Sequence, residues 1–253
     1  MIRSLLIGAA TLVLASACAT TDPAGAHYTV EWFDGFNLAQ LGEGRSKPET
    51  RDAVRQALFL PWYAPIAVTP EGSSGGERFS LRSCADYLRV ADRRVRPADD
   101  PTAWVPFMDR ALTCQAARLI LDAQPATTSH VRSMAFDKTL PERLPWQVAM
   151  IISGGERERI AAERADALWS EALFAPLTEF SACGDHCAIY GDEGGDQEVQ
   201  LVAHGDFNTD GIEDVLIRSF DSVKGGSYRA VRMLVLTRRS ADGDYELLEQ
   251  LDY

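Results

Sequence analysis

Oxygen-bearing side chains alternate along one short stretch near the end of the chain. Asp206, Asn208, Asp210 and Asp214 lie at relative positions 1, 3, 5 and 9 of this stretch. Alternate residues of a tight loop can direct their oxygens to one centre, and Gly211 after the third of these residues permits a sharp bend. Three carboxylates, an amide oxygen and the backbone carbonyl of Ile212 would form the hard ligand set that Ca²⁺ prefers. The stretch therefore predicts a metal-binding site with Ca²⁺ as its cofactor.

The residues on either side of this loop favour strands. Position 12, which is a bidentate glutamate in helix–loop–helix calcium sites, is Ile217 and belongs to an apolar run. The segment GDFNTDGIED, residues 205–214, resembles the calcium loops of FG-GAP and related propeller-type repeats, where such a loop joins two antiparallel strands. The resemblance implies the same five ligands. The sequence contains no second copy, and a propeller requires repeats, so the resemblance concerns the loop and no whole fold.

The simpler interpretation of the loop is an Asp-Gly hairpin turn with incidental acids. It leaves the repulsion between three close carboxylates unexplained, because without a cation some of them would protonate or turn apart. Since five ligands leave little room for a substrate, we expect a structural rather than a catalytic role for the ion.

The first 17 residues have the pattern of a signal peptide. A basic start precedes an apolar run from Leu5 to Ala15, which is too short to span a bilayer as a mature helix. The segment Ala-Ser-Ala-Cys, residues 15–18, resembles a bacterial lipobox, although leucine stands four rather than three residues before the cysteine. The resemblance implies acylation of Cys18, with palmitate among the chains, and Ala19 favours the outer membrane, with the domain facing the periplasm. Plain secretion is the alternative.

The remaining four cysteines are Cys84, Cys114, Cys183 and Cys187. An even number in an oxidising compartment predicts two disulfides. Three pairings are open; the pairing of sequence neighbours would tie two helices together and close one small loop. The rival hypothesis makes the last two cysteines and His186 metal ligands, but no second Cys/His cluster supplies a fourth ligand.

Helix patterns and strand patterns occupy different parts of the chain. Apolar spacing and cap residues predict helices over residues 48–60, 83–95, 101–123 and 139–174, with Gly154–Gly155 breaking the last. Strand patterns follow at residues 198–204, 214–220, 228–238 and 245–251. The links between these strands are short, which favours an antiparallel meander.

The predicted fold class is α+β, with a mainly helical N-terminal two-thirds followed by a four-stranded antiparallel β-meander. The predicted organisation is a signal peptide over residues 1–17, a lipidated tether over 18–26, a helical region over 27–182 and the meander with the calcium loop over 183–253.

The charge of the chain limits its partners. The formal net charge is −12, which disfavours nucleic acid and direct binding to anionic lipid headgroups. The exception is a basic cluster, Arg89, Arg93, Arg94 and Arg96, which we expect on one helix face. Such a cluster either binds an anion or pairs with local acids, among them Asp92, Asp99 and Asp100.

These features predict a binding or structural lipoprotein of the cell envelope. It would be attached to the membrane by its N-terminal lipid, with a protein or glycan partner that the sequence does not identify. Enzymatic activity is left open, with no catalytic residue assigned. One alternative is an envelope hydrolase, although His130, His186 and His204 stand alone. The other is an inhibitor or partner-binding module that uses the aromatic residues Trp32, Phe33, Trp62 and Tyr63.

Overall fold

The structure is a computed structural model, and it describes residues 27–36, 38–41, 47–72, 76–98, 101–173, 175–251 and 253 of the chain. Cys18, the predicted signal peptide and the predicted tether lie outside these residues. None of the described helices combines the length and the apolar character that crossing a membrane requires.

The region from residue 27 to residue 182 is not mainly helical, so the predicted fold class is wrong. The described residues contain five α-helices and eleven β-strands, and strand predominates over helix. The helices are α1 (Arg51–Ala57), α2 (Cys84–Leu88), α3 (Trp104–Asp122), α4 (Gly154–Glu163) and α5 (Trp169–Ala172). The strands that begin before residue 183 are β1 (Glu31–Trp32), β2 (Ile66–Pro70), β3 (Phe79–Leu81), β4 (Val95–Pro97), β5 (Thr128–Ser129) and β6 (Glu179–Gly184).

The C-terminal sheet is larger than the four-stranded meander that the sequence predicts. Its further strands are β7 (Cys187–Gly191), β8 (Gly195–Gly205), β9 (Ile212–Val223), β10 (Arg229–Thr237) and β11 (Glu246–Gln250). Six strands run in the order β11-β10-β9-β8-β7-β6, each antiparallel to its neighbours. β1 adds to β8 and β5 adds to β9, which makes eight strands, while β2, β3 and β4 form a separate small sheet.

Both faces of the large sheet are covered. One face packs against α3 and, through it, against α1, α2 and the small sheet; Leu216 and Met233 belong to this core. The other face packs beneath the segment 131–173, and Ile217 and Leu234 belong to that second core. Neighbouring residues of one strand therefore enter different cores. This is why β9 and β10 contain continuous apolar runs instead of an alternation of apolar and polar residues.

A buried polar network fixes the segment around Val148 to the second face of the sheet. Arg232 forms an ion pair with Asp221 at 2.9 Å, and both side chains are almost wholly buried. The same guanidinium donates to the carbonyl oxygen of Val148, and Gln197 both donates to that carbonyl and accepts from Met150 N. Because every polar group in it has a partner, the network joins three strands to the covering segment without leaving a charge unpaired.

Two of the predicted helices differ from the structure, the first because of a distant strand pairing and the second because of a local cap. The helix expected over residues 83–95 ends at Leu88, after which Arg94 adopts a left-handed conformation (φ 46°) and the chain enters β4. The pairing of β4 with β2, which is remote in sequence, sets this change. Gly154 and Gly155 begin α4 instead of breaking a helix, because the Ser153 side chain accepts a hydrogen bond from Glu156 N as an N-cap.

The disulfides join the neighbouring cysteines. Cys84–Cys114 ties α2 to α3 inside the first core, where both residues are about 1% exposed or less. Cys183–Cys187 closes the β6–β7 hairpin. The predicted disulfides are confirmed, and the hypothesis that Cys183 and Cys187 bind a metal as free thiolates is wrong, because their sulfurs are bonded to each other.

Removing the buried disulfide should destabilise the protein substantially. We expect Cys84→Ala with Cys114→Ala to cost roughly 3 kcal/mol, and therefore to lower the melting temperature by about 6–12 °C for a chain of this size. The cross-link joins residues 30 positions apart, so it restricts the unfolded chain more than the hairpin disulfide does. The matched control, Cys183→Ala with Cys187→Ala, should lower the melting temperature less. Thermal unfolding followed by circular dichroism under non-reducing conditions measures both melting temperatures. An equal decrease in the two double variants would contradict the larger stabilising role of Cys84–Cys114.

Candidate metal site

The predicted calcium loop connects β8 to β9. β8 ends at Gly205 and β9 begins at Ile212, so the loop is the turn of an antiparallel hairpin, as the sequence predicts. Thr209 (φ 64°) and Gly211 (φ 83°) both have left-handed backbone conformations. Such a conformation suits Gly211 and is costly for a β-branched residue such as Thr209. The side chains around the turn therefore have to hold the backbone in this shape.

Asp206 organises the backbone of the loop. Its side chain is buried, and its two oxygens accept hydrogen bonds from Asp210 N at 3.2 Å and from Gly211 N at 2.8 Å. Its own backbone N–H and carbonyl pair with Gln124, just beyond the end of α3, at 3.0 Å in each direction. One carboxylate thus closes the loop, while the same residue attaches the loop to the helix.

Asn208 and Asp210 lie on the exposed side of the loop. Asn208 Oδ1 accepts from Asp210 N at 3.0 Å, so it converges with Asp206 Oδ1 on the same N–H group. Asn208 Nδ2 donates to Asp210 Oδ2, and Asp210 Oδ1 accepts from Ile212 N at 2.8 Å. The structure therefore brings three of the predicted side-chain ligands together, with Ile212 beside them.

Asp214 is the fourth predicted side-chain ligand, and it is fully buried. Its Oδ2 accepts from Phe207 N at 3.0 Å, whereas its Oδ1 has no hydrogen-bond partner. Burial raises the pKa of Asp214 to about 6; the neighbouring Thr237 hydroxyl and Phe207 N–H lower this pKa, and the charges of Asp210 and Asp206 raise it. Thr237 Oγ1 is close enough to influence the carboxyl, but neither it nor Asp214 Oδ1 has a partner in hydrogen-bonding geometry. The carboxylate is thus only half satisfied.

The oxygens of the loop mostly face backbone N–H groups. Among the residues that the structure describes, no group of three or more His, Cys, Asp or Glu side chains has an arrangement that could hold a metal ion. The donor chemistry nevertheless suits a hard cation, because each ionised carboxylate offers about four lone-pair sites and the loop N–H groups use only some of them. Asp214 Oδ1, which is buried and has no hydrogen-bond partner, is the loop oxygen that a nearby positive charge would stabilise most.

Glu213, next to Asp214, is a second fully buried carboxylate, and we did not identify it from the sequence. Arg132 binds it in a bidentate manner, with Nη2 2.6 Å from Oε1 and Nε 2.9 Å from Oε2. Ser129 Oγ also donates to Oε2, and the Arg132 guanidinium lies over the ring of Tyr28. An acid inside an apolar strand signals a buried partner, but nothing in the sequence identifies Arg132 as that partner.

Two of the histidines meet at one aromatic side chain. Phe33 makes edge contacts with His186 and His204, with ring centroids 4.6 and 5.0 Å apart. Burial lowers the pKa of His204 to about 4, although the carboxylates of Glu213 and Glu31 raise it, and its Nε2 has no hydrogen-bond partner. His204 is therefore a neutral core residue at pH 7.

The aromatic residues proposed for partner binding separate into two groups. Trp62 is buried, and Trp32 and Phe33 are partly buried in the two cores. Tyr63 is 67% exposed. These four side chains do not form a single exposed surface.

No protein-family model, curated protein or solved structure matches the chain.

Removing the partner of Glu213 should destabilise the fold. We expect Arg132→Ala to cost about 2–3 kcal/mol, because it leaves a fully buried carboxylate without its counter-charge. The control is Arg159→Ala, which removes an arginine whose ion pairs with Glu156 and Glu163 are exposed; this change should have little effect. Urea denaturation measures both, and adding Glu213→Gln to Arg132→Ala should recover part of the loss. An equal loss of unfolding free energy in the two arginine variants would show that the buried Arg132–Glu213 pair stabilises the fold no more than an exposed ion pair does.

Proposed function

We propose that the chain is a lipid-anchored protein of the bacterial cell envelope, a binding or structural module with a structural Ca²⁺ ion in its β8–β9 loop. The observation that carries the calcium proposal is Asp214, a fully buried carboxylate with one unpartnered oxygen beside two further loop acids. A buried charged group is costly unless it is paired. A bound divalent cation would be the largest local charge and would favour the ionised form of all three acids.

The donor set favours Ca²⁺ over other metals. The residues that would hold the ion are Asp206, Asn208, Asp210 and Asp214 through their side chains and Ile212 through its carbonyl. All five donors are oxygens. This disfavours zinc, whose sites usually contain nitrogen or sulfur ligands. Ca²⁺ accepts six to eight oxygens in flexible geometry, whereas Mg²⁺ demands near-ideal octahedral geometry and usually keeps several waters.

The position of the loop supports a structural role. Gly211 O accepts hydrogen bonds from Thr127 N at 2.9 Å and Thr128 N at 3.1 Å, and Asp206 pairs with Gln124. An ion that holds the loop would thus hold the chain segment after α3 against the β8–β9 hairpin. Because the unfolded chain lacks this arrangement, binding would stabilise the folded state by mass action.

Calcium should raise the melting temperature of the protein, and this rise should depend on Asp210. At about 100 times the dissociation constant the expected stabilisation is about 2.7 kcal/mol, which corresponds to roughly 5–10 °C for a chain of this size. Asp210→Ala should abolish the rise, because it removes a ligand from the exposed side of the loop without opening a cavity in either core.

The matched control is Asp242→Ala, which removes an exposed aspartate from the Asp-Gly turn between β10 and β11. This variant should keep the full calcium response, and excess chelator should return the wild-type melting temperature to its calcium-free value. A calcium response of Asp210→Ala equal to that of the wild-type protein would remove the metal proposal.

The anchoring proposal rests on the N-terminal sequence. The apolar run from Leu5 to Ala15 and the lipobox-like residues before Cys18 support cleavage and acylation at that cysteine. The residues between Cys18 and His27 are small or polar, a composition that suits a tether between lipid and domain. Several acyl chains together would give stable attachment, since a single chain binds membranes only marginally. With Ala19 after the cysteine, we propose an outer-membrane location facing the periplasm.

Substitution of Cys18 should separate this protein from its membrane. In bacterial cells supplied with labelled palmitate, the wild-type protein should carry label and sediment with outer membranes. Cys18→Ser should lose the label and appear in the soluble fraction. Unchanged labelling and sedimentation of the Cys18→Ser protein would show that another feature attaches the chain.

A further inference from the structure

Among the described residues, the basic cluster of Arg89, Arg93, Arg94 and Arg96 contains two arginines in ion pairs and two without a carboxylate partner. Arg89 forms an ion pair with Asp86, and Arg93 forms one with Glu77. Arg94 and Arg96 are exposed, and no carboxylate among the described residues lies within ion-pair distance of either guanidinium. Of the acids expected to neutralise them, Asp92 forms no ion pair with either arginine, and Asp99 and Asp100 lie outside the described residues.

The backbone aims these two arginines away from the helix face on which we expected them. Because α2 ends at Leu88, the residues after it do not continue along one helical face. Arg94 has a left-handed backbone (φ 46°), and its carbonyl accepts from Glu71 N at 2.9 Å. A left-handed conformation is unfavourable for a residue with a long side chain, and such strain concentrates at binding sites.

Arg94 and Arg96 line a surface cavity of about 370 Å³, a size typical of small-molecule sites. The cavity lies where β4, the start of α3 and the end of β11 meet. Its other principal lining residues are Glu71, Trp104, Gln250 and Tyr253. Glu71 forms no ion pair with either arginine, so no carboxylate in the described part of the chain takes up the two positive charges.

The aromatic side of the cavity is held by packing. Trp104 is 39% exposed, and its ring contacts those of Phe107 and Tyr253, with centroids 6.2 and 5.9 Å apart. These contacts hold the indole in place while leaving part of its surface open. A flat apolar surface beside two cationic groups and the Gln250 amide suits a ligand that has both a ring and a negative group.

The charge distribution of the chain agrees with an anionic ligand here. Residues 47–100, which include the small sheet, contain nine Lys and Arg against eight Asp and Glu, a net charge of +1, although the whole chain carries −12. This part of the chain is thus slightly basic within an acidic protein. Local positive potential attracts anions even where the total charge is negative.

We propose that this cavity binds a small acidic sugar, with its carboxylate or phosphate group on Arg94 and Arg96 and its ring against Trp104. Guanidinium groups match the geometry of both kinds of anion through paired N–H donors. Gln250 provides both a donor and an acceptor for ring hydroxyls. This inference goes beyond the calcium loop and does not depend on it, because the cavity lies at the opposite end of α3.

Isothermal titration with four probes tests the proposal: glucuronic acid, glucose 6-phosphate, glucose and inorganic phosphate. At least one acidic sugar should bind about tenfold or more tightly than glucose and than inorganic phosphate, since charge and ring both contribute. Comparison of the two acidic sugars identifies the preferred anion. Equal binding of glucose would remove the role of the arginines, equal binding of inorganic phosphate would remove that of the ring, and no binding of any acidic sugar would overturn the proposal.

Variants locate the binding site. Arg96→Gln and Arg94→Asn should each weaken binding of the acidic sugar about tenfold or more; asparagine tolerates the left-handed backbone at position 94. The matched control, Arg55→Gln, removes the same charge from an exposed arginine on α1 that pairs with Asp52 and should bind as the wild-type protein does. Melting temperatures near the wild-type value verify folding.

Full affinity in both cavity variants would place the ligand elsewhere and overturn the proposal. Titration in excess chelator should give the wild-type affinity, because the calcium loop plays no part in this site. Failure of the sugar proposal therefore leaves the calcium proposal standing, and failure of the calcium proposal leaves this one standing.

Discussion

Two consecutive carboxylates are completely buried where β9 leaves the loop, and the surrounding structure has to compensate both. Successive residues of a strand point to opposite faces, so Glu213 and Asp214 cannot share a partner. For Glu213 the chain supplies Arg132 and Ser129. For Asp214 it supplies the N–H of Phe207 to one oxygen and leaves the other unpartnered, beside the remaining acids of the loop. In our proposal a calcium ion provides the second compensation.

Helix α3 connects this loop to the first core and to the small sheet. The helix spans 19 residues, or about 28 Å, and lies between the large sheet and the small one. Its C-terminal end leads to Gln124, which pairs with Asp206 of the loop. Its N-terminal end presents Trp104 to the basic cavity, and Cys114 in its middle is bonded to α2. One rigid, largely buried element thus separates the two proposed sites, which is why they can be tested independently.

The sequence predicts those elements whose determinants are local. β8 to β11 were expected within a few residues, because apolar strand patterns are separated there by Gly- and Asp-containing turns. The position of the acidic loop as the β8–β9 turn follows from the same pattern. α1 and α3 were expected from their apolar spacing, and the structure has them, somewhat shortened at their ends.

Several of the wrong predictions, although not the start of α4, concern elements that distant partners determine. β4 has only three residues and exists because it pairs with β2. Its own sequence carries no strand signal and resembles a continuation of α2. The short strand β5 likewise exists because it pairs with β9. The pairing of Arg132 with Glu213 joins residues 81 positions apart, and no local pattern could identify it. The helical prediction therefore failed where secondary structure depends on tertiary contacts.

A crystal structure of the protein grown in calcium chloride tests the central claim most directly, with anomalous data to identify the ion. We expect one anomalous peak in the β8–β9 loop, with oxygens of Asp206, Asp210 and Asp214 at about 2.3–2.6 Å from it. Water at that position, with Asp214 Oδ1 still unpartnered and the other acids hydrogen-bonded only to backbone N–H groups, would contradict the claim.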